Sequence, residues 1–331
     1  MRPRVAVVYD TDGWSFHNIA IQIQRSLGAD YEIEIFPYQK VSDEHKAFLL
    51  ETDALICLWY GALQKFQQGR PEHAPWQDRL VPERCKMIAC VFDEVLRWNS
   101  DKARASLAHA CETADLILLA CEGMAKRIFP ELPTPKRIGF CQDGVDLSLF
   151  PARMPRHDLR SSPLRVGWIG NSGSEYFGTI KGLAQIKEAC LGLDGVRLLY
   201  HDRAEHGLIP HDQMSQSYEE IDVQICFSAC EGTPNPILEA SATGRPWIST
   251  AVGIVPEMMR EARLRGMSTP PGLIIPREVP MLRRAIEILR DDRDLVVRMG
   301  EAALEIAQRR WTWEQRISCY RHALQMVGVT P

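Results

Sequence analysis

The chain has 331 residues, 45% of them hydrophobic, with 39 basic against 43 acidic side chains and a formal net charge of -4. This balance supplies no broad basic field for nucleic acid phosphates, so nucleic acid is not an expected partner. The length exceeds the roughly 250–300 residues at which single cores stop growing, so two domains are expected.

The first apolar run, residues 5–8, is closed off by Asp10 and is too short for a signal-peptide core or a membrane span. A cytoplasmic location is expected. Residues 5–9, 31–36, 54–58, 87–92 and 116–120 read as strands buried on both faces of a parallel sheet, with helices at Ser15–Leu27 and Asp101–Thr113 between them. Such alternation predicts a right-handed doubly wound sheet. It pauses over residues 149–164, where Phe150-Pro151, Met154-Pro155 and Ser161-Ser162-Pro163 read as a linker. The pattern then restarts with strands at 164–169, 196–200, 223–227, 247–250 and 273–275 and helices at 181–191 and 236–243. From Pro280 onward the chain reads as helices, interrupted at Trp311-Thr312-Trp313. Two Rossmann-like domains are therefore expected, over 1–155 and 156–311.

Neither half holds G-x-G-x-x-G or a P-loop, which removes the main support for a nicotinamide or flavin dehydrogenase. Of the ten cysteines, Cys57, Cys90, Cys121 and Cys226 fall in or beside strand-like runs, and no C-x-x-C is present. They are expected to be reduced core residues rather than a disulfide or zinc framework.

The most informative stretch is Ser228-Ala229-Cys230-Glu231-Gly232-Thr233-Pro234-Asn235-Pro236-Ile237-Leu238-Glu239-Ala240, which leaves a strand and opens a helix. Asn235 is expected as the N-cap, Pro236 as the first helical residue, Glu231 in the loop and Glu239 in the first turn. Ligands of open α/β sheets bind at such places, and a carboxylate here suits two neighbouring hydroxyls, such as a ribose diol, better than a phosphate. On these two residues alone, a dipole-complementing Glu239 and a turn-capping Glu231 would serve equally well. Other strand ends of the same domain add Gly170-Asn171-Ser172-Gly173, then Lys181-Gly182 read at a helix start, and Val252-Gly253-Ile254-Val255-Pro256-Glu257 in a tight turn. Glycines there admit a ligand close to the backbone, and a lysine supplies charge for a diphosphate.

Taken together, the E-x7-E pair Glu231 and Glu239, Lys181-Gly182, the segment 242–250 and the turn 253–257 closely resemble the family 4 retaining glycosyltransferases of GT-B fold. Asp143-Gly144-Val145-Asp146 with Phe150 looks like that family's Asn-Gly-Val-Asp motif, and Trp313-Glu314 with Tyr320 is similar to its final helix. The resemblance covers residues 143–320 well and the first domain loosely. It implies a GT-B fold, two Rossmann-like domains facing a cleft, with a last helix, about 312–331, packing back on the first domain. It also implies a metal-independent, retaining transfer of sugar from a nucleotide-sugar donor, UDP-sugar first and GDP-sugar second, with no cofactor.

By the same resemblance, Lys181 contacts the donor diphosphate, Glu239 the ribose hydroxyls and Glu231 the donor sugar. Gly170, Asn171, Gly173, Gly232, Thr233, Pro234, Asn235, Ile237 and Leu238 fall on its donor-binding loops, and Gly13 and Asp93 on the acceptor side of the cleft. The implied acceptor is a carbohydrate, a lipid-linked precursor or another hydroxyl compound. Two differences stand out: Gly170-Asn171 replaces the family's Gly-Arg, and Val91-Phe92-Asp93-Glu94 stands where a histidine is common. They keep open the alternative of a nucleotide-sugar binding protein without transferase activity; a GT-B-fold nucleotide-sugar epimerase is a further alternative.

Three further signals take plainer readings. Asp10-Thr11-Asp12 matches a metal-holding D-x-D but is expected to cap its loop. His201, His206 and His211 are expected on a surface loop rather than at zinc. Arg260, Arg263 and Arg265 read as a solvated helix face, with at most peripheral membrane contact.

Overall fold

A computed structural model describes all residues except 69–79, 93–100, Met154 and His157. Asp93, expected on the acceptor side, lies outside the described residues. The chain forms two compact units: Met1–Asp143 together with Arg316–Pro331, and Gly144–Gln315.

The first unit is built on strands β1 (Arg4–Tyr9), β2 (Glu32–Pro37), β3 (Ala54–Cys57), β4 (Lys86–Val91), β5 (Leu116–Leu119) and β6 (Ile138–Phe140). They form a parallel sheet in the order β2-β1-β3-β4-β5-β6. Residues 5–8 are wholly buried, as expected of a central strand covered on both faces. Its helices are α1 (Ser15–Leu27), α2 (Asp43–Leu49), α3 (Leu63–Gln68), α4 (Asp101–Thr113) and α5 (Glu122–Ile128). Helix α1 turns Ile19, Ala20, Ile23 and Leu27 inward, the stripe that a 3.6-residue period lays on one face. Helix α2 starts at a reciprocal cap, in which Ser42 Oγ accepts from the His45 amide and His45 Nδ1 accepts from the Ser42 amide.

The second unit contains β7 (Leu164–Gly170), β8 (Val196–Asp202), β9 (Val223–Cys226), β10 (Trp247–Ser249) and β11 (Gly272–Ile274). All pairs are parallel, in the order β11-β10-β9-β7-β8. The helices are α6 (Glu175–Lys181), α7 (Leu183–Cys190), α8 (Arg203–His206), α9 (Ser215–Glu219), α10 (Asn235–Ala242), α11 (Val255–Leu264), α12 (Val279–Asp291), α13 (Arg293–Arg310) and α14 (Trp313–Met326), the last continuing into the first unit. Val166, Trp168, Ile225 and Ile248 from the strands pack with Leu183 and Ile186 of α7 and Leu282, Ile286 and Leu289 of α12 into one core. Because β8 lies on one side of β7 and β9 on the other, the winding reverses between β7 and β9. In open α/β sheets the loops leaving the strands at such a reversal diverge beyond the carboxyl ends, which is where ligands bind.

The Asp143-Gly144-Val145-Asp146 motif has a backbone role. The Val145 amide donates to Trp311 O at 2.7 Å, and the Trp313 amide donates to Val145 O at 3.3 Å. A Cβ on Gly144 would lie 2.6 Å from the Trp313 nitrogen, so only glycine lets these segments approach so closely. Arg245, from the segment 242–250, is a buried structural cation whose Nε donates to the carbonyls of Tyr218 and Ile221. Among the described residues, no helix is long and apolar enough to cross a membrane.

Candidate functional site at the strand ends of the second unit

The expected helix over 181–191 is in fact two helices. Lys181 ends α6 instead of opening a helix, and Gly182, at φ 73° and ψ 23°, turns the chain into α7. A Cβ on Gly182 would lie 2.6 Å from Phe227 O, so both the left-handed backbone and the close packing against the end of β9 require glycine. The carbonyl end of α6 is held from two sides. The Ala229 amide donates to Ile180 O at 2.8 Å, and Arg277 donates to Thr179 O at 2.6 Å and to Phe227 O at 3.1 Å. A guanidinium at a helix carbonyl terminus also complements the local negative charge.

This scaffold brings Lys181 against Glu231 across the point where the winding reverses. Lys181 Nζ donates to Glu231 Oε1 at 2.6 Å, and Ser228 Oγ donates to the same oxygen at 2.7 Å. The two charged side chains are 27% and 14% exposed, shielded enough to interact strongly yet open to a ligand. Burial pulls the Lys181 pKa down, but the Glu231 carboxylate outweighs it and the net shift is upward, so the lysine is a firm cation.

Glu239 forms the second cluster. Tyr218 Oη, from α9, donates to Glu239 Oε2 at 2.5 Å, and His211 Nε2 lies 3.6 Å from Oε1. The ring of Phe150 meets both His211 and Tyr218 edge-on, with centroids 5.3 and 6.0 Å away. Burial lowers the His211 pKa and Glu239 raises it, with a net rise; burial first, then Glu239, pushes the Tyr218 phenol well above its ordinary value. His211 thus joins a carboxylate rather than a plain surface loop. The signal available in the sequence was its place just after Pro210, in the connection that follows β8 while Glu239 follows β9, which spacing alone does not connect.

Two expectations about α10 need correction. Asn235 is its first residue rather than its N-cap, the cap position being Pro234, which makes no side-chain bond. Glu239, the fifth residue, therefore stands in the second turn. Ile237 and Leu238 bury their side chains in the core, and the Ile237 amide is already donated to Pro234 O at 2.8 Å. The loop holding Gly232 and Thr233 is braced from β10: a Cβ on Gly253 would sit 1.9 Å from Gly232 O, and the Ile254 amide donates to that same oxygen at 3.1 Å.

After β7, Asn171 turns its side chain back on its own loop, its Oδ1 accepting from the Gly173 amide at 2.9 Å. Asp202, buried at the end of β8, accepts from the Ser172 amide at 2.9 Å and from Ser172 Oγ, fixing that loop. A Cβ on Gly170 would lie 2.6 Å from the Trp168 indole. Gly13 belongs to the first unit, at φ 76°, with its amide donating to His17 Nδ1 at 2.9 Å. Asp12 accepts from Tyr9 Oη at 2.8 Å, in keeping with a loop-ordering role.

Residues 176–292 match the family model described as "Glycosyl transferases group 1". No curated protein matches the sequence at a significant level. Among solved structures the chain is similar to sucrose-phosphate synthase from Thermosynechococcus elongatus, at 14% identity and a TM-score of 0.70 over 98% of this chain and 99% of that one. It is also similar to HepE from Anabaena in complex with UDP and glucose, at 14% identity and a TM-score of 0.69 over 97% and 99%. A glycosyltransferase from Rickettsia africae aligns at 12% identity and a TM-score of 0.60 over 99% of both chains. The two parallel sheets with flanking helices are the GT-B fold. The family match falls within the second unit, and the solved structures establish the fold.

Proposed function

We propose that the protein is a retaining, metal-independent glycosyltransferase that binds a nucleotide-sugar donor at the strand ends of the second unit and passes its sugar to an acceptor hydroxyl. The observation that carries this reading is the convergence of Lys181 and Glu231 at the reversal point, beside a Glu239 already oriented by Tyr218 and His211. Both clusters lie within the region of the family match or touch it. HepE, which binds UDP and glucose, shares the fold and makes UDP the first nucleotide to try; GDP is the second.

The roles follow from the donors and acceptors present. Each oxygen of an ionised carboxylate can accept more than one hydrogen bond, so Glu239, with Tyr218 on one oxygen and His211 near the other, can still receive a ribose diol. Lys181 has three N–H donors and spends one on Glu231; the rest would meet the diphosphate, where charge grows as the sugar–oxygen bond breaks. Stabilising that charge selectively accelerates the reaction, because the interaction is stronger in the transition state than in the bound donor. In Glu231 both Lys181 and Ser228 use Oε1, which leaves Oε2 to orient a sugar hydroxyl.

A thermal-shift panel of UDP, GDP, ADP and CMP tests the donor site, since a ligand that binds only the folded state raises its stability by mass action. UDP or GDP is expected to raise the transition. If no nucleotide shifts it at millimolar concentration, the donor-site reading fails. Turnover of UDP-sugar with release of free UDP separates a transferase from an epimerase, which releases none, and from a binding protein, which turns nothing over.

A further inference from the structure

A polar cluster in the first unit lies apart from the donor site, where residues 141–143 meet α14. Cys141 is fully buried and Cys319 half-buried, and their side chains are hydrogen-bonded to each other. Arg316, one turn before Cys319 and only 9% exposed, donates to Gln142 Oε1 at 2.7 Å and to Cys319 Sγ at 3.4 Å. Of these two acceptors only the sulfur can become an anion, and a buried cation gains most from an anionic neighbour.

We infer that Cys319 and Cys141 are a redox-active thiol pair, with Cys319 the thiolate held by Arg316 and Cys141 the resolving thiol, and that a hydroperoxide converts them to a disulfide. The hydrogen bond from Cys141, with Arg316 beside it, brings the Cys319 thiol down to about 6 in spite of burial. Burial pushes Cys141 well above the ordinary thiol range, which suits the proton-bearing partner. The other titratable groups facing the pair are Tyr320 and Cys90, with Asp143 acting on both of them in turn. Burial raises all three, Asp143 to about 7, so they oppose a thiolate less than ionised groups would.

In the first step the Cys319 thiolate attacks one oxygen of the hydroperoxide, the O–O bond breaks, and the other oxygen takes a proton and leaves as an alcohol, or as water when the oxidant is hydrogen peroxide. The resulting sulfenic acid is attacked by Cys141; the S–S bond forms, and the sulfenic oxygen departs as water with the Cys141 proton. Two electrons pass from the sulfurs to the peroxide. Cys141 lies just before the chain leaves the first unit after Asp143, and Cys319 just after it returns at Arg316, so the bond would tie together the two passages of the chain.

The full-length protein treated with hydrogen peroxide and digested under non-reducing conditions should yield a peptide joining Cys141 to Cys319, absent from Cys319→Ser and present in Cys190→Ser. Cys190, also half-buried but pushed up to about 11 by burial, is the internal control. At pH 7 iodoacetamide should alkylate Cys319 at least about tenfold faster than Cys190, since the thiolate is the nucleophile. No joined peptide, or equal alkylation of the two cysteines, overturns the inference.

Discussion

At the scale of single residues, the site assigns a different part of the donor to each charged side chain, which makes the roles separable. Glu239→Ala should weaken nucleoside, nucleoside diphosphate and nucleotide-sugar alike, because all three carry the ribose. Losing hydrogen bonds to a charged group costs about 1.5–3 kcal/mol, or roughly 10- to 150-fold in affinity. Lys181→Ala should weaken the diphosphate and slow turnover while sparing the nucleoside, whereas Glu231→Gln should keep UDP affinity and lose most transfer. Calorimetry on the three ligands with each variant decides between these patterns; unchanged affinities and rates in all of them would make the cluster structural. His211 gives a pH signature. Glu239 raises its pKa above the ordinary 6.5, so the stability gained from the pair is fully present below that value and fades as pH rises through the raised one. Denaturant melts from pH 6 to pH 9 should show this decline in the wild type and lack it in His211→Gln.

At the scale of elements, the loops that carry the site depend on two glycines. Gly253, at φ 50°, has no room for a Cβ beside Gly232 O, and a side chain in the left-handed region costs about 1–2 kcal/mol before any clash is counted. Gly253→Ala should therefore lower stability by more than that amount and displace the Gly232 loop, seen as weakened donor binding; an alanine variant with wild-type melting and affinity would show that the loop accommodates it. These same glycines mark where the sequence was hard to read. Helices α1 and α4 were legible to the residue, because their buried residues recur at helical spacing along one face. Apart from β6, the strands were legible within a residue or two as short apolar runs, although only the inner ones are buried on both faces; β2 and β8, at the edges, leave much of their length partly exposed, contrary to the expectation for residues 31–36. Helix α6 was not, since Gly182 sits between two short helices, each too brief to set its own boundary. The three-residue β6 and the short α2 and α5 were likewise missed, being too brief to show a period. In the site, Lys181, Glu231 and Glu239 stood out through motif spacing, with Ser228 in the same stretch as Glu231, whereas Tyr218, His211 and Arg277 act from other elements and meet them only in three dimensions.

At the scale of the molecule, the two units each have their own sheet, and the proposed donor residues belong to the second. A multi-domain chain need not melt in one step, so calorimetry offers a domain-resolved check. Saturating UDP, at about 100 times its Kd, adds about 2.7 kcal/mol to whatever binds it. It should move the transition of the second unit upward and leave a separate first-unit transition in place; a shift confined to the first unit would place the nucleotide elsewhere. The chain order has its own effect on synthesis. The first unit is assembled from Met1–Asp143 and Arg316–Pro331, and the second is an insertion between those pieces. Tyr320, Ala323 and Leu324 of the late piece are fully buried or nearly so, and Tyr31 reaches Val329 O from the early one. On the ribosome, at about 5–20 residues per second, the early piece must wait for roughly ten seconds or more while the insertion emerges. During that delay the nascent first unit keeps uncovered the apolar surface that α14 will later close. The second unit, contiguous in the chain, can complete its fold first, so chaperone dependence and co-translational aggregation should concentrate in the half of the molecule that is started earliest.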